Sequence, residues 1–153
     1  MRPMKYLAIL FLFPFSIWAC SDSSDVNELV AYASILEPTP FPKQVEAIGI
    51  FIPSEIDKAH ASLMNINYVN GDKLMLQTTI SVSKASDWDL QTNPALDGYS
   101  ISYFYLNLSQ VNNIQITVYY HYPKTKDGSI AMCGPVRNHK LSDLMAVKPS
   151  KTN

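Results

Sequence analysis

The sequence predicts an α+β fold: an antiparallel β-meander of five or six strands with one or two helices packed on one face, spanning residues 45–147. Three observations carry this. Apolar and polar residues alternate with a period of two along residues 73–83, and again along 99–109 and 114–122. Turn-forming residues separate such runs at Asn70-Gly71-Asp72, Asn112-Asn113 and Asp127-Gly128. Helical spacing of apolar residues is confined to two short stretches upstream.

Residues 25–36 read as the first helix. Asp25 caps it, Glu28 stands three residues on, and Val26, Leu29, Val30, Ala33 and Leu36 form one apolar face. The helix either packs on the domain or belongs to a tether covering residues 20–44. Pro38, Pro40 and Pro42 end it. Residues 45–52 are apolar on both faces, as a strand covered on both sides would be, and Pro53 stops it. Residues 54–63 read as the second helix, with Ser54 and Asp57 at capping spacing and Ile56, Ala59, His60 and Leu63 on its apolar side.

The strands follow. Met64, Ile66 and Tyr68 alternate with polar residues, as do Leu74, Leu76, Ile80 and Val82. Keeping these faces together calls for a three-residue loop, 70–72, which sets Tyr68 opposite Leu74 and Ile66 opposite Leu76. Residues 84–98 form a long connection. A second hairpin then joins 99–109 to 114–122 around Val111-Asn112-Asn113, because Phe104, Leu106 and Leu108 must share a face with Ile114, Ile116, Val118 and Tyr120. That register lays Tyr105 opposite Tyr119, and Tyr103 opposite His121. Residues 124–129 form a turn, 130–136 a last short strand, and 148–153 a frayed end. A helix followed by a meander resembles the cystatin-like roll in architecture, a likeness that carries no function.

Composition bounds the partners. The chain has 153 residues, 47% of them apolar, which is a folding composition with room for one domain and a tether. The formal charge is −1, and no run of Lys or Arg appears. Phosphate backbones need clustered positive charge, so nucleic acid is excluded as a partner.

The first residues carry an address. Arg2 and Lys5 precede an apolar run from Tyr6 to Ala19. Basic start, apolar stretch and small residue are the order of a secretory signal, and the run is short for a membrane span of about 20 residues. It ends in Ile17-Trp18-Ala19-Cys20, followed by the polar spacer Ser21-Asp22-Ser23-Ser24-Asp25. This resembles the lipobox of bacterial lipoprotein precursors, with Trp18 departing from the small residue usual at its position. The resemblance covers only the signal, residues 1–19, and the start of the tether. It implies a diacylglyceryl thioether on Cys20, cleavage before Cys20 and acylation of the new amine. The partner so implied is a lipid bilayer in the bacterial envelope. Ser21 in place of an aspartate favours the outer membrane. Cleavage after Ser21 is the competing reading and would release a soluble protein. Lipid on Cys20 would leave Cys133 as a free thiol, either a small buried hydrophobe or a reactive group.

Signatures of catalysis are missing: there is no nucleophile elbow, phosphate loop, His-Glu-x-x-His or Cys-x-x-Cys. His60, His121 and His139 match no metal-ligand spacing. Two features remain. Asp87-Trp88-Asp89 lies in the long connection, where it either binds a ligand or anchors the loop by packing Trp88 inward. Tyr103, Tyr105, Tyr119 and His121 point away from the expected core, and tyrosine is enriched at interfaces. With Trp88 they are the candidate partner-binding residues. The expected function is a non-catalytic envelope lipoprotein that binds a protein or an envelope polymer and needs no cofactor. The alternative is a small periplasmic or secreted hydrolase, or a metal-dependent enzyme, working through the Trp88 loop. Cys20→Ala should abolish incorporation of a labelled fatty acid in the bacterial host and leave uncleaved precursor; labelling that persists would refute the lipobox.

Overall fold

A strand with no polar side chain after its first residue must be covered on both faces. β2 (Glu46–Pro53) is such a strand, buried from Ala47 to Pro53, as its composition predicts. The structure, a computed structural model, describes residues 29–36, 45–124, 126, 128 and 134–148. Two antiparallel sheets make up most of it. The first runs β1 (Tyr32–Ile35), β2, β7 (Tyr99–Leu106), β6 (Ser83–Lys84). The second runs β3 (Glu55–Ile56), β4 (Ala59–Asn70), β8 (Ile114–His121), β9 (Val136–Lys140), with β5 (Lys73–Ser81) also paired to β4. Two short helices, α1 (Asp87–Thr92) and α2 (Leu141–Ala146), complete it with 3₁₀ segments at Pro94–Leu96 and Leu108–Asn113.

The sheets enclose one core. Ile48, Ile50 and Ile52 come from the first; Met64, Ile66, Ile114, Ile116, Val118 and Tyr120 come from the second. Each fully buried aliphatic side chain contributes about 1.5–3 kcal/mol. The chain passes between sheets with one residue to spare at Ser54, between β2 and β3, and at Val82, between β5 and β6. Strands that change sheet in this way form the corners of packed sheets. The Tyr120 hydroxyl reinforces the first corner by donating to the Pro53 carbonyl at 3.0 Å. Where β1 and β9 end the two sheets, α2 contacts both and buries Leu141 and Leu144. Gly134, entering β9, lies so close to Tyr120 that a β-carbon would run into its carbonyl.

The class, mostly antiparallel sheet with a few short helices, agrees with the prediction; the single meander does not. The expected hairpin between β7 and β8 is absent. β7 pairs with β2 from Glu46↔Leu106 to Pro53↔Tyr99, and β8 pairs with β4. The 3₁₀ segment Leu108–Asn113 carries the chain across, so the two apolar faces meet through the core instead of side by side. Tyr105 is therefore not opposite Tyr119, nor Tyr103 opposite His121.

Both upstream helices are also corrected. Within 25–36, the described residues 32–35 are β1, paired with Ile48–Phe51. Residues 54–63 are a tight hairpin, β3 to β4, turning at Asp57 and Lys58 with φ of 49° and 66°. Two positive-φ residues suit the twist of a two-residue hairpin turn. Leu63 does not share the buried side of Ile56 and Ala59, because a bulge at Ser62 shifts the phase of β4 against β8 and turns Leu63 outward. Among the described residues no helix precedes the strands in the manner of the cystatin-like roll.

The β4–β5 loop has two residues, Gly71 and Asp72, with Asn70 opposite Lys73. Tyr68 then faces Met75, and Leu76 faces Asn67. A second bulge follows: Thr78 pairs with Ile66 but Leu76 with Asn67, leaving Gln77 extra. Leu74 and Leu76 thus share the face opposite to that of Ile80. Of the expected strand 130–136, residues 130–133 lie outside the described residues and Val136 begins β9; α2 after it was not anticipated. The signal, Cys20, residues 25–28 and Cys133 lie outside the described residues.

Lys58→Gly tests the hairpin by the sign of its effect. Relieving a left-handed backbone should stabilise the fold by about 1 kcal/mol, seen as a higher urea midpoint. Glycine inside a helix would cost about 1 kcal/mol instead.

Candidate functional site

Alternation along β7 and its register with β2 place Tyr99, Ile101, Tyr103 and Tyr105 on the outer face of the first sheet, beside Ala47, Gly49, Phe51 and Tyr32. This face has a covered end and an open end. At the covered end Tyr32 stacks on Phe51, with ring centroids 4.5 Å apart and planes 8° apart. Tyr99 meets Tyr32 edge-on at 5.5 Å. Leu90 of α1 and Leu96 of the following 3₁₀ segment pack over these rings. The Tyr99 hydroxyl donates to the Val30 carbonyl at 3.0 Å. Burial raises the phenol pKa of Tyr32, with the neighbouring Tyr99 adding to it, and burial raises that of Tyr99.

At the open end Tyr103 is 62% exposed and Tyr105 49%. Across β2 they face Gly49 and Ala47, too small to cover them. The absence of a side chain at Gly49 makes room for Leu36, whose Cδ2 lies 2.8 Å from where a β-carbon would stand.

The other candidates are elsewhere. Trp88 sits on α1, 72% exposed, and does not anchor the connection; Leu90 and Leu96 do. Asp89 closes a capping box with Ser86. It accepts from the Ser86 amide at 2.8 Å and from the hydroxyl at 2.6 Å, and these bonds lower its pKa. Tyr119 and His121 belong to β8 in the second sheet. Tyr119 is half-buried, and its hydroxyl accepts from the Asn65 amide at 3.3 Å. His121 pairs with His60 across β4, and His60 contacts Glu55 at 3.5 Å. Hence the tyrosines expected on one surface divide between two: Tyr103 and Tyr105 stay together, and Tyr119 and His121 leave.

Ser62 Oγ is hydrogen-bonded to His121 Nδ1 and also donates to the Tyr119 carbonyl at 3.1 Å. Ser62 Oγ thus faces both an imidazole nitrogen and a backbone carbonyl, and its single proton serves one of them at a time. His139 is separate, on β9 opposite Ile116. Among the described residues, no group of three His, Cys, Asp or Glu is placed to hold a metal ion.

Sequence reading missed a polar ladder on the outer face of the second sheet. Thr79 donates to Asn65 at 2.8 Å, Asn67 to Thr117 at 3.3 Å, and Thr117 to Asn138 at 2.8 Å. The signal was present: Asn65 and Asn67 alternate with Met64, Ile66 and Tyr68.

Comparison with protein-family models, with curated proteins and with solved structures finds no match to this chain. Among the described residues no helix is long and apolar enough to cross a membrane.

The buried ring cluster makes a prediction for alkaline pH. The pKa values of Tyr32 and Tyr99 are raised above the ordinary 10.0, so their contribution to stability is fully present below that value. It is lost as pH rises through the raised values. Absorbance titration should show Tyr32 and Tyr99 ionising later than free tyrosine, together with a falling urea midpoint, and Tyr32→Phe should remove one late phenol.

Proposed function

We propose that this chain is a lipid-anchored lipoprotein of the bacterial envelope, held by acyl chains on Cys20, whose domain is a non-catalytic binding module for an envelope protein. The contact surface in this reading is the open end of the first sheet. One observation carries it: Tyr103 and Tyr105 stand on the same face of β7, both about half exposed or more, opposite Gly49 and Ala47. Two phenols above small residues give a large contact area with polar tips and little side-chain entropy to lose. Lipid on Cys20 would hold this surface at an envelope membrane, the outer membrane being favoured by Ser21. The enzyme alternative draws no support from the Trp88 segment, where Asp89 is engaged in capping α1.

Tyr103→Ala combined with Tyr105→Ala tests the surface. Truncating a central interface aromatic costs about 2 kcal/mol or more of binding, whereas changes at exposed positions shift stability by about 0.5 kcal/mol. Protein carrying a photo-crosslinker at Ser34, beside Gly49 on this face, should give a discrete adduct in membranes. The double variant should lose that adduct and keep its thermal midpoint. An adduct that survives the double variant would refute the surface.

A further inference from the structure

The outer face of the second sheet holds two polar side chains that are buried although the face looks outward: Asn67, 5% exposed, and Thr117, 8% exposed. They form a directed relay. Asn67 Nδ2 donates to Thr117 Oγ1, and that hydroxyl donates to Asn138 Oδ1. Occupying the Asn138 oxygen fixes which way its amide is turned and leaves its two N–H groups for something else. Beside Asn138 is an open cleft of about 320 Å³, lined by Gln115, Asn138, His139, Lys140 and Asp143. Lys140 stands opposite Gln115 in register, and Asp143 comes from the first turn of α2. Among the described residues Lys140 makes no ion pair, and the Gln115 side chain makes no hydrogen bond.

The lining selects a ligand by its chemistry. One ammonium next to two amides suits a carboxylate. Asp143 and the Gln115 amide oxygen suit hydroxyl donors. Four of the five lining side chains are amides or charged groups and His139 supplies the one aromatic ring, so the ligand is a small ring with several polar substituents. The volume is near the lower end for small-molecule sites, which begin at about 300 Å³. We propose that this cleft binds a sugar acid, one saccharide ring bearing a carboxylate. Lys140 pairs with the carboxylate, Asn138 donates through its relay-oriented amide, and Asp143 accepts from ring hydroxyls. This site lies on the sheet opposite to Tyr103 and Tyr105 and stands independently of that surface and of the lipid anchor.

The test is an amide and side-chain NMR titration of the full chain in detergent, using D-galacturonate, D-galactose and acetate as probes. Galacturonate should give saturable shifts at Gln115, Asn138, His139, Lys140 and Asp143. Galactose should bind about tenfold more weakly, and acetate no better than galactose. Lys140→Gln should lower galacturonate affinity about fivefold and leave galactose unchanged. Asn138→Ala, at an exposed position, should weaken both sugars. Absence of saturable shifts with galacturonate overturns the proposal. So does an equal response to acetate, which would mean an adventitious ion only, or an equal response to galactose, which would mean that the carboxylate is not read.

Discussion

The fold depends on a single requirement: the isoleucines of β2 must meet the apolar face of β4 and β8. Ile48, Ile50 and Ile52 are wholly buried, and so are Met64, Ile116 and Val118. Closing these faces over each other removes more apolar surface from water than any one sheet could. The corners at Ser54 and Val82 follow, because the chain must reach both layers. The bulges follow too. In β4 the extra residue lets Ala59 and Met64 both face the core, and in β5 it separates Leu74 and Leu76 from the core-facing Ile80. α2 fills the remaining side, where Leu141 and Leu144 complete the core.

Local patterns in the sequence revealed strands better than their partners. The both-faces-apolar run of β2, the long strand from Lys73 and the strands around residues 99–106 and 114–121 were all legible from period-two alternation. Which strand pairs with which was not. Two apolar faces that match in register satisfy the same pattern whether they lie side by side in one sheet or across a core, and β7 and β8 take the second option. The hairpin at Asp57-Lys58 was hidden for another reason. Asp57 tolerates positive φ, but Lys58 stands where glycine would mark such a turn, and Ile56, Ala59 and Leu63 fall at helical spacing although Leu63 faces outward. Of the candidate site, Tyr103 and Tyr105 were legible as outward-facing residues. Tyr119 was assigned to the same surface only through the wrong pairing.

Dividing β7 from β8 gives the molecule two outer faces of different character, about one sheet spacing apart through the core. One is aromatic: half is sealed by α1 and the 3₁₀ segment over Tyr32, Phe51 and Tyr99, and half is open at Tyr103 and Tyr105. The other is polar, with side-chain hydrogen bonds running from β5 across β4 and β8 to β9. Such bonds help hold register between these strands.

The extra residue in β5 has a bearing on how the chain survives its own synthesis. From Leu74 to Ser83 there is no charge and no proline, and Leu74, Met75 and Leu76 are each more than half exposed. Among the described residues this strand is paired only through β4, so its other side is a template for a neighbouring molecule. Gln77 breaks the template. It interrupts the even spacing of the edge amides and sends the leucines and Ile80 to opposite faces, so that a copy stacking in register would match one half and misfit the other. That protection exists only once β4 and β5 are paired. Before then the same ten residues are a continuous sticky segment, and the interval between emergence and pairing is when aggregation competes with folding.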